Sequence, residues 1–196
     1  MKKTVEFLFD FTSAPSYIAW KCIGPMADAV NAEVAFVPVL LGGIFKATGN
    51  AGPMGIPAKE AWYRGDLALW CRKRDVAINP SRFLPLRSLD LMRGCFVASE
   101  RGELARYADV VFDAIFLHGK NMADMGVVEQ VLNDAGLVGA EYRLDVGRED
   151  IKRQLLLATN GAVARGVFGL PTFFVRDRLF FGQDRLEFVM DAIRES

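Results

Sequence analysis

Between Thr4 and Phe11 apolar and polar positions alternate: Val5, Phe7, Phe9 and Phe11 fall on one face, Glu6, Leu8 and Asp10 on the other. A period of two is the signature of a β-strand. From Tyr17 the period lengthens, with Tyr17, Ile18, Trp20, Ile23, Met26, Ala27 and Val30 at helical spacing and Gly24-Pro25 expected to bend that helix. Residues 33–41 are β-rich again, so the chain opens β-α-β, which implies parallel strands. From 42 to about 147 strand signals nearly vanish, and helical patterns cover 58–74, 88–100, 103–118 and 126–134 between turns containing Gly and Pro. A further helix is predicted at 149–165. Two apolar runs, 172–175 and 179–181, flank the charged turn Arg176-Asp177-Arg178 as a hairpin, and a last helix covers about 184–194.

That order predicts an α/β protein with a thioredoxin-like core, β-α-β followed by α-β-β-α, interrupted by a large all-helical insertion. The core is expected over 1–44 and 148–196, the insertion over 45–147. No repeat, low-complexity tract or Ser/Pro-rich linker separates the two, so they are expected to pack as one body.

A chain of 196 residues suits one domain and buries roughly 70% of its unfolded surface. Its 24 basic and 24 acidic residues give no electrostatic reason to expect nucleic acid. The start Met1-Lys2-Lys3 mimics a secretory signal, but Glu6 and Asp10 break the apolar run such a signal needs, and no stretch reaches the roughly 18 apolar residues of a membrane span. A soluble, cytoplasmic protein without a membrane partner is the expectation. Cys22, Cys71 and Cys95 are odd in number and widely spaced, with neither a Cys-x-x-Cys pair nor metal-ligand spacing, so reduced thiols and no metal are expected. The single histidine, His118, precedes Gly119 at the polar end of a helical pattern, where it reads as a helix-end residue rather than the base of a Ser-His-Asp hydrolase.

Ser13 sits where the first strand turns into the first helix. A helix start offers unpaired N–H groups and a partial positive charge, both favourable to an anion. An activated thiolate suits that position, and a plain N-cap serine suits it equally.

Four motifs carry a family resemblance: Phe9-Asp-Phe-Thr-Ser-Ala-Pro-Ser-Tyr17, Gly49-Asn50, Val167-Phe-Gly-Leu-Pro-Thr-Phe-Phe174 and Gly182-Gln-Asp-Arg-Leu186. The middle adds residues 58–66, Leu69-Trp70 and Asn79-Pro80. Together they resemble the 2-hydroxychromene-2-carboxylate isomerases and kappa-class glutathione transferases, relatives of the disulfide-bond oxidoreductases within the thioredoxin-fold superfamily. One departure is that Ala14 follows the serine and proline arrives at Pro15, still within the first helical turn.

The resemblance implies glutathione as cofactor and a role for each motif. Ser13 would hydrogen-bond the glutathione sulfur and stabilise it as thiolate, without itself attacking. Leu170-Pro171 would be a cis peptide, with the main chain of Leu170 pairing with the cysteinyl unit. Asp184 and Arg185 would grip the γ-glutamyl end, Asn50 the glycyl end, and Lys59 would add a positive charge nearby. Phe45, Trp62, Tyr63 and Met92 are candidates for an apolar acceptor pocket, although aromatic and sulfur residues at helical spacing are more often simply core. Among Arg82, Arg87 and Arg93 the spacing selects no partner for a substrate carboxylate.

The implied activity is a glutathione-dependent cis-trans isomerisation of an aromatic-derived unsaturated keto acid, of the kind used in bacterial naphthalene-type degradation, by a homodimer. A kappa-type transferase or peroxidase is the alternative. A disulfide oxidoreductase fits the fold but needs thiols where positions 13 and 16 are serines. A non-enzymatic thioredoxin-like module that binds extended peptide is the remaining reading.

Overall fold

The alternating N-terminal run forms strand β1 (Lys3–Phe9) in a computed structural model that describes residues 3–53 and 56–196; the Met1-Lys2 start lies outside them. Val5, Phe7 and Phe9 are fully buried, as their spacing predicts. The other face of the strand is covered as well, with Leu8 and the following Asp10 also buried. Glu6 reaches outward from that face and pairs with Arg165 at 2.6 Å.

Helix α1 (Ala14–Asp28) follows and continues through Pro25, which lies inside it. Strand β2 (Ala32–Pro38) pairs in parallel with β1, Phe7 opposite Phe36. Strand β3 (Thr172–Val175) lies antiparallel on the other side of β1, and β4 (Arg178–Phe181) completes the predicted hairpin, giving the order β2-β1-β3-β4. Between β2 and β3 run α2 (Leu41–Thr48), α3 (Pro57–Arg74), α4 (Leu89–Glu100), α5 (Leu104–Phe116), α6 (Met125–Asp134), α7 (Gly139–Asp145) and α8 (Glu149–Ala164). After β4 a 3₁₀ turn, Gln183–Arg185, leads into α9 (Leu186–Glu195). The architecture is thus the expected thioredoxin-like core with a helical insertion.

Two helices escape the sequence pattern. Helix α2 contains Gly42 and Gly43 and begins at Leu40 without a side-chain cap, so neither propensity nor a start signal marks it. Helix α7 is only seven residues long and opens on Gly139, where a Cβ would collide with the main chain of Glu129.

One core runs from the sheet through α1 and α9 into the insertion. Phe7 stacks on Phe173 with centroids 5.0 Å apart, while Phe9, Phe11 and Trp20 meet Phe112 of α5 at 5.7, 4.8 and 5.6 Å. Such aromatic pairs contribute about 0.5–1.5 kcal/mol each beyond the area they bury, which joins insertion to core. Gly94 lets α4 approach Tyr107 of α5, whose hydroxyl donates to the Leu91 carbonyl at 2.9 Å. On the opposite face of the sheet a smaller cluster gathers Leu8, Val39, Ile44, Ala162, Val167, Leu170 and Phe174 under α2 and α8. Among the described residues no helix is long and apolar enough to cross a membrane.

Candidate active site

The turn between β1 and α1 places Ser13 as the N-cap of α1, with extended backbone at φ −92° and ψ 104°. Its Oγ accepts the Ser16 N–H at 3.2 Å and donates to the Leu170 carbonyl at 3.1 Å. The main-chain N–H of Ser13 donates to the Asp10 carbonyl at 3.1 Å. Ser13 is therefore a helix cap and, at the same time, a side chain bonded to the cis-proline segment far away in the chain. Pro15 sits in the first helical turn, where its missing N–H removes nothing the helix needs. The Leu170-Pro171 bond is cis, as the resemblance implies; Leu84-Pro85 in the insertion is a second cis bond that was not anticipated.

The segment around that proline gathers the other candidates. The Phe168 carbonyl accepts from Asn50 Nδ2 at 2.7 Å, the Gly169 carbonyl from the Thr172 hydroxyl at 2.7 Å, and the Pro171 carbonyl from the Gly182 N–H at 2.9 Å. Asn50 is held from its other end, since its Oδ1 accepts the Gly52 N–H at 2.9 Å. Gly182 adopts φ +103°, and the Asp184 carboxylate folds back over it where a Cβ would stand. Asp184 and Arg185 lie 3.5 Å apart, and both remain open to solvent. The structure thus joins Ser13, Asn50, Leu170, Pro171, Asp184 and Arg185 around one loop. Lys59 is exposed on the first turn of α3 and makes no hydrogen bond or ion pair with the described residues, so nothing ties it to this group.

The candidate acceptor residues divide. Met92 is fully buried in the larger core, the packing reading and not the pocket wall. Trp62 is 65% exposed on α3. Tyr63, on the same helix, is half-buried, and burial with Asp66 nearby pushes its phenol up to about 12. The Phe45 ring packs over Gly52, two residues from Asn50. Arg93 is paired with Asp90 at 2.9 Å, Arg82 lies over the Phe83 ring, and Arg87 is exposed. Two open clefts, of about 420 and 390 Å³, are lined by residues of the 68–78 segment and by Gly126, Glu129, Gln130 and Asn133 respectively. Neither includes a residue of the Ser13 group.

No cysteine stands at the start of α1. Cys71 and Cys95 are buried, Cys22 is half-buried, all three are free, and burial pushes each thiol upward and away from thiolate at neutral pH. His118 lies in the turn after α5, which ends at Phe116, and its N–H bonds the Asp113 carbonyl at 2.8 Å before Gly119 takes a left-handed φ of +62°. No group of three or more His, Cys, Asp or Glu suited to a metal occurs among the described residues.

Three polar residues at this site were not singled out from the sequence: Asp10, Ser16 and Gln183. All are buried, and Ser16 Oγ and Gln183 Oε1 have no hydrogen-bond partner among the described residues. Asp10 looked solvent-facing because it alternates with the phenylalanines. The local spacing Asp10-x-Thr12, the pattern of an Asx turn, is the signal that marks it.

Residues 4–194 match the family model of the DSBA-like thioredoxin domain. The chain is 28% identical over 196 residues to 2-hydroxychromene-2-carboxylate isomerase of Sphingobium xenophagum, an alignment covering 96% of this chain and 97% of that protein. It is 25% identical over 216 residues to glutathione s-transferase kappa 2 of Caenorhabditis elegans, covering 99% and 93%. A solved structure of 2-hydroxychromene-2-carboxylate isomerase matches with a TM-score of 0.87 at 24% identity, covering 98% of this chain and 95% of that one.

Proposed function

We propose, for a chain that belongs to the DSBA-like thioredoxin domain family, that the Ser13 turn activates glutathione and makes the protein a glutathione-dependent cis-trans isomerase of the 2-hydroxychromene-2-carboxylate type. The observation that carries this reading is the Ser13 hydroxyl, set at the positive end of α1 and 3.1 Å from the carbonyl of Leu170. That pairing puts an O–H donor, a main-chain acceptor and a helix start within one small space.

The residues present fit a cysteinyl tripeptide. The main chain of Leu170 offers strand-like hydrogen bonds to its central unit. Asp184 offers a carboxylate to an ammonium, and Arg185 with the N–H groups of its turn offers donors to a carboxylate. Asn50, already anchored to Phe168, is available for the glycyl end. When a ligand amide takes the Leu170 carbonyl, the Ser13 O–H is released to face the sulfur. A charge-assisted hydrogen bond and the helix field then both favour thiolate over a thiol whose ordinary pKa is about 8.5.

Bound glutathione supplies a thiolate that adds reversibly to the conjugated double bond of the opened substrate, so that the resulting single bond rotates before elimination returns the alkene. The protein's part is to hold the sulfur anionic, hold the acceptor against it and provide no competing thiol. The kappa-transferase reading shares every one of these residues and is supported by the likeness to the Caenorhabditis protein. Serine at positions 13 and 16 weighs against disulfide exchange. A homodimer and an aromatic substrate belong to the same proposal and rest on the resemblance; a cytoplasmic location belongs to it too and rests on the broken apolar run at Glu6 and Asp10.

The test compares two reactions with and without glutathione: isomerisation of 2-hydroxychromene-2-carboxylate and conjugation of 1-chloro-2,4-dinitrobenzene. Isomerisation sustained by a trace of glutathione that is not consumed supports the isomerase. Consumption of glutathione in step with the acceptor supports the transferase, and absence of both reactions overturns both.

A further inference from the structure

One buried carboxylate takes no part in the chemistry above. Asp10 follows the last residue of β1 and is 0% exposed. Its Oδ1 accepts the N–H and the hydroxyl of Thr12 at 2.8 and 3.0 Å, and its Oδ2 accepts the N–H of Leu41 at 2.8 Å and the hydroxyl of Ser88 at 3.1 Å. Three segments meet on one side chain: the turn that carries Ser13, the first residue of α2, and the residue before α4.

Two helices forgo local capping for this junction. Ser88 is the N-cap of α4, a place where serine normally bonds and stabilises its own helix, yet its hydroxyl caps no N–H of α4 and goes to Asp10 instead. Helix α2 has no side-chain cap at Leu40; the N–H of Leu40 goes to Thr159 Oγ1 at 3.0 Å and that of Leu41 to Asp10. The far end of α2 delivers Gly49 and Asn50, and α4 belongs to the helical insertion. Movement at Asp10 therefore displaces both the Asn50 arm and the insertion relative to Ser13.

We propose that Asp10 is a positioning residue that fixes the spacing between the Ser13 turn, the Asn50 arm and the helical insertion, and so aligns the glutathione half of the cleft with the acceptor half. Its kinetic consequences rest on the reading of Ser13 given above, whereas its structural consequence does not. A carboxylate is the group this junction requires, because each oxygen receives one main-chain N–H and one hydroxyl. In Asp10→Asn the amide nitrogen faces a main-chain N–H whichever way the side chain is turned. Burial raises the Asp10 carboxyl above its ordinary value, and the four hydrogen bonds draw it back.

Amide hydrogen exchange in the free protein tests the junction without glutathione: Asp10→Asn is expected to speed exchange about tenfold or more at Thr12 or Leu41, whichever N–H the amide nitrogen faces, the effect of one unsatisfied buried donor. Two gentler variants each remove one hydroxyl and add no clash. Thr12→Val is expected to raise KM for glutathione about three- to tenfold with KM for 2-hydroxychromene-2-carboxylate unchanged, and Ser88→Ala to do the reverse. Loss of melting temperature with both KM values unchanged in the two variants, or unchanged exchange at both Thr12 and Leu41 in folded Asp10→Asn, overturns the proposal. Should Asp10→Asn not fold, the KM split decides. A wild-type protein without glutathione dependence sinks the reading of the site, while the exchange experiment on Ser88→Ala, read at Leu41, still decides for or against Asp10.

Discussion

The cis-proline loop and helix α3 are held by opposite means. Along the loop the carbonyls of Phe168, Gly169, Leu170 and Pro171, consecutive in the chain, accept hydrogen bonds from Asn50, Thr172, Ser13 and Gly182, four separate places. Helix α3 is 18 residues long and buries only Cys71. Its outer face shows Trp62 and Leu69 to solvent, and it is fastened near its C-terminal end, where Arg74 pairs with Glu187 of α9 at 2.6 Å. Main-chain hydrogen bonds fix backbone atoms within tenths of an ångström, as a site that must orient a small ligand requires. A helix held by side-chain packing at Leu67 and Cys71 and by an ion pair has no such precision, and Lys59, Trp62 and Tyr63 all ride on it.

The contrast is broken most decisively at Ser13. Ser13→Ala removes one of the four donors and is expected to lower the glutathione-dependent rate about a hundredfold, or about 2.7 kcal/mol, with a stability loss of about 1 kcal/mol from the lost cap. Steady-state rates and thermal melts read the two effects separately, and an unchanged rate removes the serine from the chemistry. Asp184→Asn, at the outer edge of the same group, is expected to raise KM for glutathione about tenfold while leaving kcat within a factor of about two.

On the other side of the comparison, Trp62→Ala and Leu69→Ala are each expected to change stability by less than about 0.5 kcal/mol in urea melts, because neither side chain leaves water. A loss above about 2 kcal/mol would mean that this face is covered in solution and the helix is not loosely held. The smallest effect concerns the ion pair. The hydrogen bond from Arg74 holds the Glu187 carboxyl below its ordinary value of 4.5, so the stabilisation is complete above that pH and is lost as pH falls through the lowered folded-state pKa. Glu187 is 56% exposed, which limits the pair to a few tenths of a kcal/mol. The difference in melting temperature between wild type and Glu187→Gln is expected to be small at pH 7 and to close on acidification.

Local pattern shows some parts of this molecule and conceals others for definite reasons. Strand β1 and helix α1 are legible because apolar residues recur at the right period, and the β3-β4 hairpin because two apolar runs flank a charged turn. Helix α2 is not, since its N–H groups are met by Asp10 and by Thr159 of α8, and no feature within 41–48 announces that help. Met92 was open to two readings because helical spacing is the same for a residue in the core and a residue lining a cleft, and it takes the core one. The Ser13 turn and the cis-proline loop were legible through whole motifs; the acceptor side was not, because α3 carries few contacts to say which of its faces looks inward. Asp10 was concealed by its own alternation, which put it on a strand face that α2 and α8 then cover.

The partner of the Ser13 hydroxyl is a peptide carbonyl, a group every amino acid carries. Genetic drift at codon 170 therefore preserves the acceptor as long as the new side chain still packs among Leu8, Val39, Ile44 and Phe174. Codon 13 has no such latitude, since its side chain must be short and must both cap and donate there. One end of this contact is inherited letter by letter, and the other is intrinsic to being a polypeptide.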